Sequence, residues 1–176
     1  MQKIFIGLLL VFLDFNLDIG ASRIGLIPDF IGYIVLMNGL RELIGKSERF
    51  IKARPFAAGM FVYTLVLYIM DLLGVSNQAQ AIGYLLGLVS TIISLVVSYN
   101  IVMGVNDMEK EYGLRLNADG LFRTWRLLAF FSIAIYLLFL IPVLNIACII
   151  GGFIIGIVFL ATFSRTKNLY YEQVTD

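Results

Sequence analysis

Six apolar stretches, at roughly 4–20, 28–44, 55–73, 81–103, 126–144 and 146–163, take up most of this chain of 176 residues. A helix needs about 20 apolar residues to cross a bilayer, so stretches of this length leave no room for a water-soluble core. Composition agrees: 60% of residues are hydrophobic and 14% charged, against about 25% charged in an ordinary soluble domain. The mean hydropathy is +0.93. The sequence predicts an all-α polytopic integral membrane protein, a single membrane-embedded domain over residues 1–176, folded as a bundle of six transmembrane helices.

Positive charge then orients the bundle. From the N-terminus to the C-terminus, the segments outside the spans and at their ends carry one, one, five, none, four, none and two Lys or Arg residues. Twelve of the 13 basic residues therefore fall in alternate segments. Because Lys and Arg near span ends are retained on the cytoplasmic side during insertion, both termini are expected in the cytoplasm. The expected location is a bacterial cytoplasmic membrane crossed several times. A net charge of +1 hides this segregation and does not point to nucleic acid. Lys3 and the apolar run after it resemble a signal peptide, but Asp14, Asn16 and Asp18 interrupt it and no clean small-x-small cleavage site follows, so an uncleaved first span is expected. The single Cys148 allows no internal disulfide or thiolate cluster, and the chain has no His, so neither a metal nor a cofactor is expected.

The first span is the least regular. Ile4 to Leu13 is too short to cross at 1.5 Å per residue, so the helix is expected to run on through Asp14 and Asp18, with 20–25 as a turn or short re-entrant piece. Pro28 suits the first turn of the second helix, and Asp29 beside it meets the positive end of the helix dipole. The basic piece 46–54 is expected to lie against an anionic inner leaflet before Pro55 restarts the chain. Residues 106–124 form the longest extramembrane connection, expected as a solvated loop, with a surface helix or a partner contact as the alternatives. Pro142 and Asn145 mark a tight outer hairpin. Gly83, Gly87, Ser90, Ser94 and Ser98 form one stripe of small side chains, and Cys148, Gly152 and Gly156 another. Both suit close helix packing or a docking face for another subunit. Asn38 and Asn100 are expected as interhelical hydrogen-bond glue.

The candidate site is a group of carboxylates on the outer side. On a continuous helix Asp14 and Asp18, four apart, share a face, and the topology sets Asp29 and Asp71 near their level, with Arg23 the one cation available there. An Asp at a helix centre costs roughly 2.5–3.5 kcal/mol on insertion scales, which asks for a bundle-facing or wet position. One reading is structural, with Arg23 pairing Asp18 or Asp29 to hold the first outer turn. The other is an outward-facing cavity lined by Asp14, Asp18, Asp29, Asp71 and Arg23 with aromatics such as Phe30, Tyr33, Tyr68, Tyr84 and Tyr136. Such a lining suits an organic cation or a proton-coupled solute.

The run Leu13-Asp14-Phe15-Asn16-Leu17-Asp18-Ile19-Gly20, followed by Leu26-Ile27-Pro28-Asp29-Phe30-Ile31-Gly32-Tyr33-Ile34-Val35, resembles a signature of uncharacterised small multi-pass membrane proteins of Gram-positive bacteria. That resemblance implies a bacterial cytoplasmic membrane. In size, span number and an outward pocket the chain also resembles the substrate-binding subunits of energy-coupling-factor vitamin transporters. Those subunits commonly carry Ala-x-x-x-Ala in the first span, and here Ile4 to Leu13 contains no Ala.

Together these features predict a non-enzymatic membrane protein that binds or transports a small, cationic solute, with a structural or regulatory subunit of a membrane complex as the alternative. The expected partners are membrane lipid, a small-molecule solute, and a membrane protein or a second copy of the chain, with no nucleic acid. An enzyme is disfavoured because no Gly-x-Gly-Asp run, no His-Glu-x-x-His and no clustered acidic motif of phosphoalcohol transferases occurs.

Overall fold

A computed structural model describes residues 1–12, 16–19, 22–25, 28–73 and 80–175, with side chains for 1–12, 28–70, 72–73 and 83–174. The chain forms helices α1 (Gln2–Phe12), α2 (Asp29–Glu42), α3 (Glu48–Leu72), α4 (Gln80–Tyr112), α5 (Ala118–Leu137) and α6 (Pro142–Thr175). A two-stranded ribbon of β1 (Asn16–Ile19) and β2 (Ser22–Gly25) stands between α1 and α2. Each helix packs on its sequence neighbours, and α1 also packs on α6, so the six close into a ring. Phe5 stacked on Phe163 and Phe12 edge-on to Phe159 complete that closure.

Four helical segments, Glu48–Met70, Gly83–Tyr112, Ala118–Leu137 and Pro142–Val174, are long and apolar enough to cross a membrane. Their outward side chains match: Leu72, Leu137, Leu140 and Val143 are 75–87% exposed, a surface stable only against lipid. This is a membrane protein. The 11 residues of α1 and 14 of α2 rise only about 16 and 21 Å, less than a hydrocarbon core of about 30 Å.

The expectation of one helix over 4–20 is thus corrected. Polar residues at 14, 16 and 18 alternate with Phe15, Leu17 and Ile19, a period of two that belongs to a strand. Asp18 lies opposite Arg23 in the antiparallel register, so Asp18 does not continue the helical face of α1, and 22–25 is a strand instead of a re-entrant turn. What the short α1 and α2 lack in length they recover in proximity. A Cβ added at Gly7 would stand 2.7 Å from the backbone nitrogen of Leu36, and one at Gly39 would stand 2.6 Å from that of Ile4. Only hydrogen at these two positions lets the helix backbones meet, with Ile4, Leu8, Leu36 and Leu40 buried along the seam.

Two further boundaries move. Residues 46–54 are not a separate surface piece, because α3 begins at Glu48 and carries Pro55 inside it. Ser47 caps its start by accepting the Arg49 backbone N–H at 3.1 Å while donating to Asp107 at 2.7 Å. Nor is 106–124 a loop: α4 runs to Tyr112 and α5 starts at Ala118. The five residues between them reverse the chain through Gly113 (φ 65°) and Asn117 (φ 61°), two residue types that tolerate the left-handed region. Glu109 accepts the Ala118 backbone N–H, and Gln173 holds Arg115 by both its N–H and its carbonyl. With Gln2 donating its backbone N–H to the Tyr171 hydroxyl, these contacts gather both termini, the α2–α3 corner and the α4–α5 turn at one end of the ring. That end carries nearly all the basic residues. The core concentrates in the same half, where Phe50, Val105, Met108, Leu116, Leu121 and Phe163 are fully buried.

Candidate functional site

The half of the ring away from the basic end is hollow. A cavity of about 740 Å³ lies among the last turn of α1, the first turns of α2, and the middle and far halves of α3, α4 and α5. The helix period explains its polar wall: residues four apart share a face, and three such pairs point inward. Asp29 and Tyr33 come from α2, Ser90 and Ser94 from α4, and Ser132 and Tyr136 from α5. Tyr63, Thr64 and Thr91 add three more hydroxyls. Among the described residues Asp29 is the one carboxylate in this wall, and no Lys or Arg lines it.

The hydroxyls form a connected surface. Tyr33 faces Ser94, and Tyr63 faces Ser90. Thr91 and the Tyr136 hydroxyl lie 3.1 Å apart, either able to donate, while Ser90 and Thr64 return bonds to carbonyls of their own helices. Below Ser94 the space closes. Ser98 is fully buried and accepts the Trp125 indole N–H at 3.0 Å, with the indole wedged between Tyr99 and Phe122.

Asp29 and Tyr33 therefore meet in the cavity wall, and Tyr136 joins them. Tyr84 stands one layer behind: its hydroxyl donates to the Tyr136 carbonyl and its ring lies 5.3 Å from that of Tyr136. Phe30 and Tyr68 pack on each other at 5.5 Å, outside the lining. Asp71 sits on the last turn of α3 with its side chain outside the described residues, as are the side chains of Asp18 and Arg23, and Asp14 lies outside them altogether. Among the described residues no three His, Cys, Asp or Glu side chains converge as a metal site would need.

No protein-family model, curated protein or solved structure matches this chain. The cavity alone carries the functional reading.

Several wall residues escaped the sequence reading, above all Tyr63, Thr64, Thr91 and Ser132. The stripe on α4 is legible as close packing or a docking face, whereas in the structure Ser90 and Ser94 face the cavity and nothing lies within 4 Å of a Cβ at Gly83. The signal available was the recurrence of hydroxyl pairs four apart in different spans. Of the second stripe, a Cβ at Gly152 would stand 3.6 Å from Phe131 and 3.7 Å from Ile135, whereas one at Gly156 would meet nothing within 4 Å. Asn100 bonds the Val96 carbonyl of its own helix and Asn38 is exposed; α4 and α5 are joined instead by bonds such as Trp125 to Ser98 and Thr91 with Tyr136.

Proposed function

We propose that this protein binds a small, positively charged solute in the cavity and carries it across, or presents it at, a bacterial cytoplasmic membrane. The observation that supports this most is the wall itself: among the described lining residues it holds one carboxylate, three tyrosines and a set of further hydroxyls. A volume of about 740 Å³ falls within the range of roughly 300–1,000 Å³ usual for small-molecule sites. A polar wall within an apolar ring is costly to maintain, and a bound solute gives it a use. Asp29 supplies Coulomb attraction, the faces of Tyr33, Tyr63 and Tyr136 supply cation–π attraction, and the hydroxyls supply directional contacts.

In this proposal the chain crosses the membrane six times, with α1 and α2 entering as a tight pair and the basic end in the cytoplasm. Reporter fusions at the C-terminus and within 46–54 test the orientation; activity on the outside at either place would overturn it. Binding is tested by thermal unfolding of the purified chain against a panel of organic ammonium ions and neutral isosteres of the same shape. A true ligand at about a hundred-fold its Kd adds about 2.7 kcal/mol, and Asp29→Asn should erase the preference for the charged member. A panel in which no compound shifts the wild type would count against solute binding.

A further inference from the structure

On the outer face of the ring, α4 and α5 leave an apolar groove of about 330 Å³ between them. Ile92, Val96 and Tyr99 form one wall, and Trp125, Ala129 and Ile133 the other. Ile92 and Val96 stand two positions from the cavity-lining Ser90 and Ser94, which puts them on the opposite side of α4. From Tyr99 to Ile92 the groove runs for seven residues, or about 10 Å, away from the basic end.

At the end nearer the α4–α5 turn the groove meets positive charge. Arg126 follows Trp125 in the chain and is exposed. Its guanidinium lies 5.5 Å from the ring centre of Phe122, one turn nearer the basic end, and Phe122 in turn stacks on Trp125 at 6.0 Å. Arg123, three residues earlier and so on the same flank, is exposed as well. Leu127 and Phe130 beside them are 44% and 66% exposed, so this flank of α5 faces lipid. Arg126 stands eight residues, or about 12 Å, inside α5, whose 20 residues just match a hydrocarbon core of about 30 Å. An arginine at such a depth turns its charge back toward the interface, and the lean of Arg126 onto Phe122 has that direction.

We infer that the groove holds one acyl chain of an anionic phospholipid from the leaflet at the basic end, its phosphate received by Arg126 and Arg123. The solute cavity plays no part in it. Positive charge at the interface, aromatic rings below it and apolar walls toward the midplane follow the order of a phospholipid's own headgroup and chain. A second copy of the chain, the competing occupant, would have to carry a carboxylate to the depth of Arg126, which is costly within a span; a phosphate already lies at the interface. A headgroup of net negative charge gains about five-fold in association for each arginine near the surface, a gain that a headgroup carrying its own ammonium partly cancels.

Trp125 is the only tryptophan of the chain and lines the groove, so its fluorescence reads the site. The full chain is reconstituted in mixed bilayers of phosphatidylcholine and phosphatidylglycerol, with the acyl chains of one lipid or the other dibrominated as the quencher. Brominated phosphatidylglycerol should quench Trp125 well beyond its mole fraction, with a preference over phosphatidylcholine of up to about 25-fold from two arginines. Arg126→Gln should lower that preference by about five-fold and the double change with Arg123→Gln should bring it near parity, whereas Arg126→Lys should keep most of it. Arg54→Gln, at an exposed cation of α3, should leave it unchanged. Ala129→Leu, which occupies the groove, should weaken quenching by both lipids. Equal quenching of the wild type by the two lipids, a preference that survives loss of both arginines, or quenching untouched by Ala129→Leu would each reduce the contact to bulk lipid and overturn the inference. Absence of quenching by either lipid would overturn it too, and would make the groove a protein interface.

Discussion

Alanine at Gly39 should destabilise the protein although alanine is the better helix former. The Cβ would fall 2.6 Å from the Ile4 nitrogen and 3.0 Å from the Lys3 carbonyl carbon, both backbone atoms that cannot swing aside. Relief to an ordinary contact of 3.4 Å requires α1 and α2 to part by roughly 0.8 Å (3.4 minus 2.6). Ile4, Leu8, Leu36 and Leu40 are buried along that seam. If about a quarter of the roughly 50 contacts each makes cross the seam, at about 0.1–0.2 kcal/mol and shared between partners, the seam holds about 4 kcal/mol of dispersion. A gap of this size forfeits a quarter to a half of it, or about 1–2 kcal/mol. Against this stands the helix-propensity gain of glycine to alanine, about 1 kcal/mol. Gly59→Ala isolates that gain, because nothing lies within 4 Å of its Cβ. Equilibrium unfolding in mixed micelles titrated with dodecyl sulfate should therefore place Gly39→Ala about 1–2 kcal/mol below Gly59→Ala. Equal stability of the two variants would refute the tight seam.

Trp125→Phe removes the donor to Ser98 and should cost about 0.5–1.5 kcal/mol; combined with Ser98→Ala it should cost less than the sum, because both changes break one bond, as thermal unfolding would read. Lys3 hydrogen-bonds Glu42 and holds its carboxyl below its ordinary value of 4.5. The stabilisation is complete above that value and lost as the pH falls through the lower folded value. Because the pair is exposed, it contributes at most about 1 kcal/mol. Unfolding midpoints should thus separate wild type from Glu42→Gln near neutral pH and converge in strong acid, and a gap that persists there would contradict this.

The apolar stretches and the alternating positive charge make the long apolar helices and the gathering of basic residues at one end legible in the sequence, because burial in lipid and the cost of moving Lys and Arg across it act on whole segments; the closure of the helices into a ring is not legible there. Boundaries were less legible. Pro55 suits a helix start yet lies inside α3, since a single missing backbone donor is tolerated where neighbours hold the helix. The charges of 106–124 suit a solvated loop and a surface helix alike; in the structure α4 runs on to Tyr112, with Asp107 and Glu109 partnered by Ser47, Arg49 and the Ala118 backbone. The seam of Gly7 and Gly39 was missed because the two glycines lie on different helices and only the crossing brings them together. Of the candidate site, Asp29, Tyr33 and Tyr136 were legible as polar or aromatic residues in greasy spans. Ser90 and Ser94 were assigned to packing because a small side chain serves close packing and a hydroxyl-lined cavity equally well.

Cysteine reactivity at two neighbouring turns of α4 tests the cavity most directly. In a Cys148→Ala chain, Ser94→Cys and Ser98→Cys are exposed to a small cationic methanethiosulfonate added from either side of sealed vesicles. Ser94→Cys should react rapidly from the face opposite the basic end and be protected by a bound ammonium ion, while Ser98→Cys, one turn deeper under Trp125, stays unmodified. Equal inertness of the two, or reaction of Ser94→Cys only from the basic side, would contradict an open, cation-selective chamber in this half of the ring.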